Sequence, residues 1–337
     1  MQEGVLLFDA DRRTAFANEA VEQHLGARPD SLGGLLPVTL RETIRRVSET
    51  GQAEVGEFEV GSPTRWLHVT TTSAGVDGSV VVVVGDVTEA RRLDAVRRDF
   101  VANASHELKT PAASIQAAAE TLVHAWRDDP AAVPRFAEQL EREAVRLSRI
   151  VSDLLDLSRL ESGSELADAV RLDALVREEG QRFESAAKEA GLTFGLEIGS
   201  VPPLHGSARD LSLLIRNLLD NAIRYTRPGG TVTVAVSTDD GSVVLCVEDS
   251  GVGIPSKDIP RVFERFYRVD RARSRETGGT GLGLAIVRHV AENHGGTVTV
   301  RSELGRGSAF EVRLPIGSEP TPEPARASRK VCGPQGP

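Results

Sequence analysis

The sequence predicts a multidomain α+β protein: a small α/β unit, then a helical hairpin, then a second α/β domain. Three observations predict it. At 337 residues with 40% hydrophobic content, the chain is long for one domain and has enough apolar residues for several cores. Short β-type runs separated by turn residues fill residues 4–86 and return in 170–315. Between them, apolar residues recur at three- and four-residue spacing, the period of amphipathic helices. The expected boundaries are 1–87, 88–165 and 166–316, with a polar tail over 317–337.

In the first unit, Gly4–Asp9 and Thr14–Ala17 read as strands around a turn at Asp11-Arg12-Arg13. Glu19–Leu25 and Val38–Thr50 read as helices. Strands follow at Ala53–Val60, Arg65–Ser73 and Ser79–Asp86, with turns at Gly61-Ser62-Pro63 and Asp77-Gly78. This order, with Gly4-Val-Leu-Leu-Phe-Asp-Ala-Asp11 and Phe16-Ala-Asn-Glu-Ala20, resembles a PAS domain, which implies a sensory role. Neither His24 nor His68 reads as a haem ligand, and the unit has no cysteine to bond a flavin.

From Thr88 the pattern is helical. Leu93, Val96, Phe100, Ala104 and Leu108 share one stripe, and the helix is expected to reach about Ala125. After a break at Asp128-Asp129-Pro130, Leu140, Leu147 and Leu154 recur, with Ile150 and Leu157 between them. A lone hairpin of two one-striped helices buries both stripes poorly. Two hairpins bury them well, so a homodimer with a four-helix bundle is expected.

The second α/β domain is expected to have helices at Leu172–Ala190, Ser207–Tyr225 and Leu284–Asn293. Its strands are expected at Leu192–Ile198, Thr231–Ser237, Ser242–Glu248, Gly296–Ser302 and Ala309–Leu314. The tail from Gly317 is poor in apolar residues and expected to be disordered. Of two cysteines, Cys246 falls in an apolar strand pattern and Cys332 in the tail, which fits a reducing compartment. The net charge of −9 argues against nucleic acid as a direct partner. No stretch approaches the roughly 18 apolar residues of a membrane span, and no signal peptide is present, so a soluble, cytoplasmic chain is expected.

His106 lies two residues from both Ala104 and Leu108 of the apolar stripe, a rotation of roughly 200° that turns it towards solvent. An exposed histidine is most often an ordinary surface residue. Its neighbours give it chemistry. A carboxylate such as Glu107 can fix an imidazole tautomer and leave the other nitrogen free to attack. Thr110, one turn on, could place a water beside a bound phosphoryl group. Pro111, inside a continuing helical pattern, removes a hydrogen bond and bends the axis. Ser105-His-Glu-Leu-Lys-Thr-Pro111 resembles the phospho-acceptor motif of two-component sensor histidine kinases. Leu147–Gly163, with Asp153-Leu-Leu-Asp-Leu-Ser-Arg-Leu-Glu-Ser-Gly163, resembles that family's second dimerisation helix.

Four later segments suit phosphate and metal chemistry. Asn217, Asn221 and Arg224 lie at helical spacing on one face, beside Tyr225; amide oxygens suit Mg²⁺ and the guanidinium suits phosphate. Asp249-Ser-Gly251-Val-Gly253 follows a strand, where Asp249 could accept from an adenine amino group and the glycines allow close backbone approach. Arg268, after Val262-Phe263-Glu-Arg-Phe266-Tyr267, could reach a terminal phosphate, whereas Phe263 and Phe266 read as core. Gly278-Gly279-Thr280-Gly281-Leu282-Gly283 opens a helix, whose free N–H groups attract phosphate.

In this order the four segments resemble the ATP-binding domain shared by histidine kinases, gyrase and the Hsp90 chaperones, an α/β sandwich. Gly305-Arg-Gly-Ser308-Ala-Phe310 to Leu314-Pro315 resembles that family's closing strand, with Ser308 for the usual threonine; Arg224 stands for the usual lysine. The wording of the motifs is similar to that of phosphate-regulon sensor kinases. The resemblance implies ATP and Mg²⁺ as cofactors, with Asn221 as metal ligand. Adenine would lie at Asp249, and the phosphates among Asn217, Asn221, Arg224, Arg268, Gly279, Gly281 and Gly283, under a lid of Ser256–Gly283. It further implies phosphorylation of His106 and transfer to an aspartate of a response regulator. Phosphatase action through Glu107 and Thr110 is also implied. Two alternatives stay open: a chaperone- or gyrase-like ATPase, and a PAS scaffold carrying an inactive kinase.

Overall fold

The computed structural model describes residues 3–35, 37–75, 78–163, 168–269 and 279–317. The chain divides into two compact units, residues 1–102 and 103–337. Asp77, Gly278 and the tail beyond Gly317 lie outside the described residues.

The first unit has strands β1 (Gly4–Phe8) and β2 (Thr14–Ala17), helices α1 (Glu19–Leu25) and α2 (Val38–Thr50), then β3 (Glu54–Val60), β4 (Arg65–Ser73) and β5 (Val80–Asp86). The strands form one antiparallel sheet in the order β2-β1-β5-β4-β3. Leu6 and Phe8, Leu67 and Val69, and Val80, Val82 and Val84 alternate inwards, where they bury against Val21, Leu40, Ile44 and Val47 of the helices. Both helices end on a glycine in the left-handed region, Gly26 and Gly51, which lets the chain reverse at no steric cost.

Helix α3 (Thr88–Asp128) follows, and a short 3-10 turn at Pro130–Ala132 leads into α4 (Val133–Glu161). Pro111 sits buried inside α3, which continues past it without a break. On α4, Ile150, Leu157 and Leu160 are buried. Val123, Val145, Val151 and Leu155 of the hairpin stay exposed in the single chain.

The rest of the second unit comprises β6 (Asp168–Val170), α5 (Leu172–Glu189), β7 (Thr193–Ile198), β8 (Leu204–Gly206), α6 (Ala208–Tyr225), β9 (Thr231–Asp239), β10 (Ser242–Asp249), α7 (Gly283–Asn293), β11 (Thr297–Glu303) and β12 (Gly307–Pro315). Five strands form a sheet in the order β11-β12-β10-β9-β7, antiparallel except for the β7–β9 pair. Val232, Val234, Val236, Val243, Leu245, Val247, Phe310, Val312 and Leu314 face inwards and are buried. Leu211, Leu214, Leu218 and Ile286 of the helices are buried with them, which makes a two-layer α/β sandwich.

Two features position α6. Ser207 caps its start by accepting the Asp210 N–H at 3.3 Å. Buried His294, just past α7, accepts the Ser207 N–H on Nε2 at 3.1 Å, while its Nδ1 lies 2.8 Å from the Val290 carbonyl. Burial pulls the His294 pKa down, so the ring stays neutral and serves as a fixed strut. The β6–β8 ribbon was not expected from the sequence: at three residues per strand it has no readable alternation. No described helix is long and apolar enough to cross a membrane.

Candidate active site

A cavity of about 530 Å³ opens between α6, the end of β10 and the start of α7. Asn217, Asn221, Arg224 and Tyr225 line it from α6, Asp249 and Gly253 from the segment after β10, and Arg268, Gly279, Thr280, Gly281 and Gly283 from the run into α7. The helical spacing of the α6 residues therefore does put them on one wall. Asn217 Nδ2 donates to the Leu213 carbonyl at 2.9 Å. A Cβ on residue 283 would come within 2.7 Å of its Oδ1, so Gly283 leaves the amide in this position. Arg224 is held by Asp220 at 2.6 Å. The Asn221 side chain has no hydrogen-bond partner among the described residues.

Asp249 is buried at the end of β10, and its Oδ1 accepts the Gly251 N–H at 2.8 Å. Burial pushes its pKa up to about 6, against the pull of the backbone donors of Gly251 and Ser308. Gly251 and Gly253 have no room for a side chain: a Cβ would run into the Tyr225 carbonyl at one and the Glu303 carbonyl at the other. Gly281 has φ +75, and its carbonyl accepts the Phe266 N–H at 2.8 Å. Gly251 and Leu282 do not line the cavity. Leu282 is fully buried, and its N–H donates to Thr280 Oγ1 at 3.2 Å, so it shapes the loop from behind.

Helix α4 supplies a further wall that sequence reasoning missed: Arg149, Ser152, Asp153 and Asp156. Thr280 Oγ1 donates to Asp153 Oδ2 at 2.6 Å. Burial holds the Asp153 carboxyl above the usual range, and the Thr280 hydrogen bond partly offsets that. Arg159 of α4 reaches fully buried Asp210 of α6 at 2.6 Å, Arg265 pairs with Glu161, and Asn293 Nδ2 donates to the Leu160 carbonyl at 3.2 Å. Asp153 and Asp156 sit three apart between the apolar positions Ile150 and Leu157. Carboxylates flanking a buried stripe are a faint signal that the stripe faces another lobe.

His106 is exposed on α3, the orientation its spacing from Ala104 and Leu108 implies. Thr110 Oγ1 donates to the His106 carbonyl at 3.1 Å. Glu107 Oε2 lies 3.1 Å from Arg146 Nη2 and 3.0 Å from Arg268 Nη2. Phe263 meets Phe310 edge-on at 6.3 Å, the core role expected of it. The middle of the expected lid, residues 270–278, lies outside the described residues.

A sandwich with a cavity of amides, glycine backbone and guanidinium, joined to a hairpin with an exposed histidine, defines the class: an ATP-dependent phosphotransferase. Comparison with known proteins gives the same result. Residues 206–318 match the family described as histidine kinase-, DNA gyrase B- and HSP90-like ATPase, and residues 96–163 match the His Kinase A (phospho-acceptor) domain. The chain is 40% identical over 295 residues to the sensor-like histidine kinase SenX3 of Mycolicibacterium smegmatis, covering 83% of this chain and 75% of that protein. It is 31% identical over 322 residues to the sensor protein SrrB of Staphylococcus aureus, covering 94% of this chain and 54% of that one. The solved structure of the histidine kinase ThkA in complex with the response regulator protein TrrA shares the fold, with a TM-score of 0.52, 19% identity, and 93% and 96% of the two chains covered. The chain belongs to the sensor histidine kinases of two-component systems, which are protein-histidine kinases that use ATP.

Proposed function

We propose that this chain phosphorylates its own His106 from ATP and passes the phosphoryl group to an aspartate of a response regulator. The observation that carries this reading is the single cavity shared by Asn221, Asp249, Arg268 and Gly281 in the unit that also holds exposed His106. Asp249 accepts from the adenine amino group. Asn217, Asn221, Arg224, Tyr225 and the backbone of Gly279, Thr280 and Gly281 surround the triphosphate. A nitrogen of His106 attacks the γ-phosphorus as the bond to the β,γ-bridging oxygen breaks and ADP leaves. Glu107 orients the ring and accepts the proton from its other nitrogen. Positioning and charge neutralisation supply most of the rate.

The site suits Mg²⁺. The Asn221 amide oxygen is uncommitted, and a hard oxygen donor with room for several waters is what that ion takes. When bound it would neutralise phosphate charge; Asn221 would be the ligand, with Asn217 beside it.

The exposed apolar residues of the hairpin support a homodimer. The antiparallel first unit supports a PAS-like sensor over residues 1–87, ahead of a phosphotransfer hairpin at 88–165, a catalytic domain at 166–316 and a tail at 317–337. Thr110 and Glu107 serve dephosphorylation of the regulator. The motif wording favours the phosphate-regulon type, and a cytoplasmic location fits the chemistry.

Incubation with γ-labelled ATP tests the reading. Acid-labile, base-stable label that disappears in His106→Gln is expected. ATP turnover without protein label would instead mark a chaperone- or gyrase-like ATPase, and absence of ATP binding a scaffold.

A further inference from the structure

Glu107 carries two guanidinium groups on one oxygen. Arg268 comes from the ATP-binding lobe and Arg146 from α4, and their side chains are only 6% and 7% exposed. The two differ in what holds them. Arg268 lines the nucleotide cavity and has a stronger anionic partner waiting in a triphosphate. Arg146 projects from mid-α4, one turn from buried Ile150, and its other charged neighbour is Glu143 at 3.7 Å on the same helix. Burial pulls the Arg268 pKa below its ordinary range, and the Arg146 charge pulls the same way against Glu107. Of two like charges sharing one carboxylate, the one with a second anion within reach is the easier to surrender.

We propose that Arg146 is a positioning residue for phosphoryl transfer: it anchors the Glu107 carboxylate on the hairpin, so that when Arg268 turns to the triphosphate, Glu107 keeps one partner there and is available to the adjacent His106. Without Arg146, Glu107 would follow Arg268 or swing to water, and the imidazole would lose its orienting acceptor. A buried arginine could also simply stiffen the hairpin, so the test must separate aim from stability. The inference rests on the role given above to Glu107.

The test is autophosphorylation of the purified full chain by γ-labelled ATP, over a range of ATP concentrations, for Arg146→Gln, Arg146→Lys, Glu107→Gln and the Gln/Gln double variant. Arg146→Gln is expected to lower the rate at saturating ATP by about tenfold or more while KM for ATP moves by less than about twofold, because the residue acts on chemistry and not on binding. Arg146→Lys is expected to recover most of the rate. Added to Glu107→Gln, the Arg146 change should cost little more, since both act through one group. The proposal is overturned if Arg146→Gln labels at the parent rate, if its loss lies in KM, or if that loss is undiminished in the Glu107→Gln background. Thermal melting accompanies each variant. If Arg146→Gln does not fold, Arg146→Lys decides: near-parent labelling supports the proposal, and a folded but inactive Lys variant overturns it. Glu107→Gln at the parent rate would overturn the assignment of Glu107 itself, and absence of label in the parent would overturn the kinase reading, so the three failures are distinguishable.

Discussion

The sheet of residues 4–86 and the sheet of residues 193–315 each have five strands and a cover of helices, yet they spend their inward positions differently. In the first, the inward residues of β1, β4 and β5 are almost all aliphatic or aromatic and close against α1 and α2. In the second, the aliphatic pattern of β10 stops at Asp249, a buried carboxylate, and the next turns are glycines where a Cβ has no room. A sheet that runs apolar to its ends makes a core. One that breaks the pattern at a strand end, and accepts a buried charge there, makes a site.

Asp249→Asn should sharpen this difference most. The folded pKa of Asp249 is raised from 3.8 to about 6, so between those values the folded state binds more protons than the unfolded one, and stability falls as pH rises through that window. Holding the carboxylate ionised at neutral pH thus costs at most about 3 kcal/mol. The substitution is expected to raise the melting temperature of the ligand-free chain at neutral pH, with the gain fading towards pH 4. ATP affinity, read by calorimetry, should fall by about 100-fold because an amide donor replaces an acceptor. A variant that loses stability and keeps affinity would erase the distinction.

Gly281→Ala should follow. A side chain at φ +75 is strained, and its Cβ would meet the Phe266 backbone at 2.9 Å. A loss of about 1–2 kcal/mol and about tenfold in ATP affinity is expected, by melting and calorimetry. Leu67→Ala, in the first sheet, is the counter-case. Melting of the first unit should show a loss of about 2–5 kcal/mol, while ATP affinity moves by less than about twofold, since no cavity residue comes from that sheet. Arg224→Lys should be smallest. Charge is kept and one half-buried pair to Asp220 is weakened, so ATP affinity should change by less than about threefold.

Much of this was legible in the sequence because the signals are local. Period-two runs gave β4 and β9, helical spacing put Asn217, Asn221 and Arg224 on one wall, and the glycines marked the turns around Asp249 and Thr280. What was not legible depends on distant parts meeting. Nothing near Asp153 or Arg149 announces that α4 would face the cavity, since the partner, Thr280, lies far along the chain. Arg146 reads as one more charge on a helix until the fold buries it beside Glu107. The β6–β8 ribbon is too short to carry a period. Leu282 sits within the glycine run but behind the wall, a distinction that residue type alone does not make.

The α4 wall has a thermodynamic corollary. Because Arg149, Ser152, Asp153 and Asp156 border the space that a nucleotide would fill, occupancy of that space and the seating of α4 against the catalytic lobe are linked functions of one free energy. A force that lifts α4 away must alter nucleotide affinity, and nucleotide must alter the ease of lifting α4 by the same factor. Input to the helices and fuel supply to the lobe are therefore two handles on a single equilibrium.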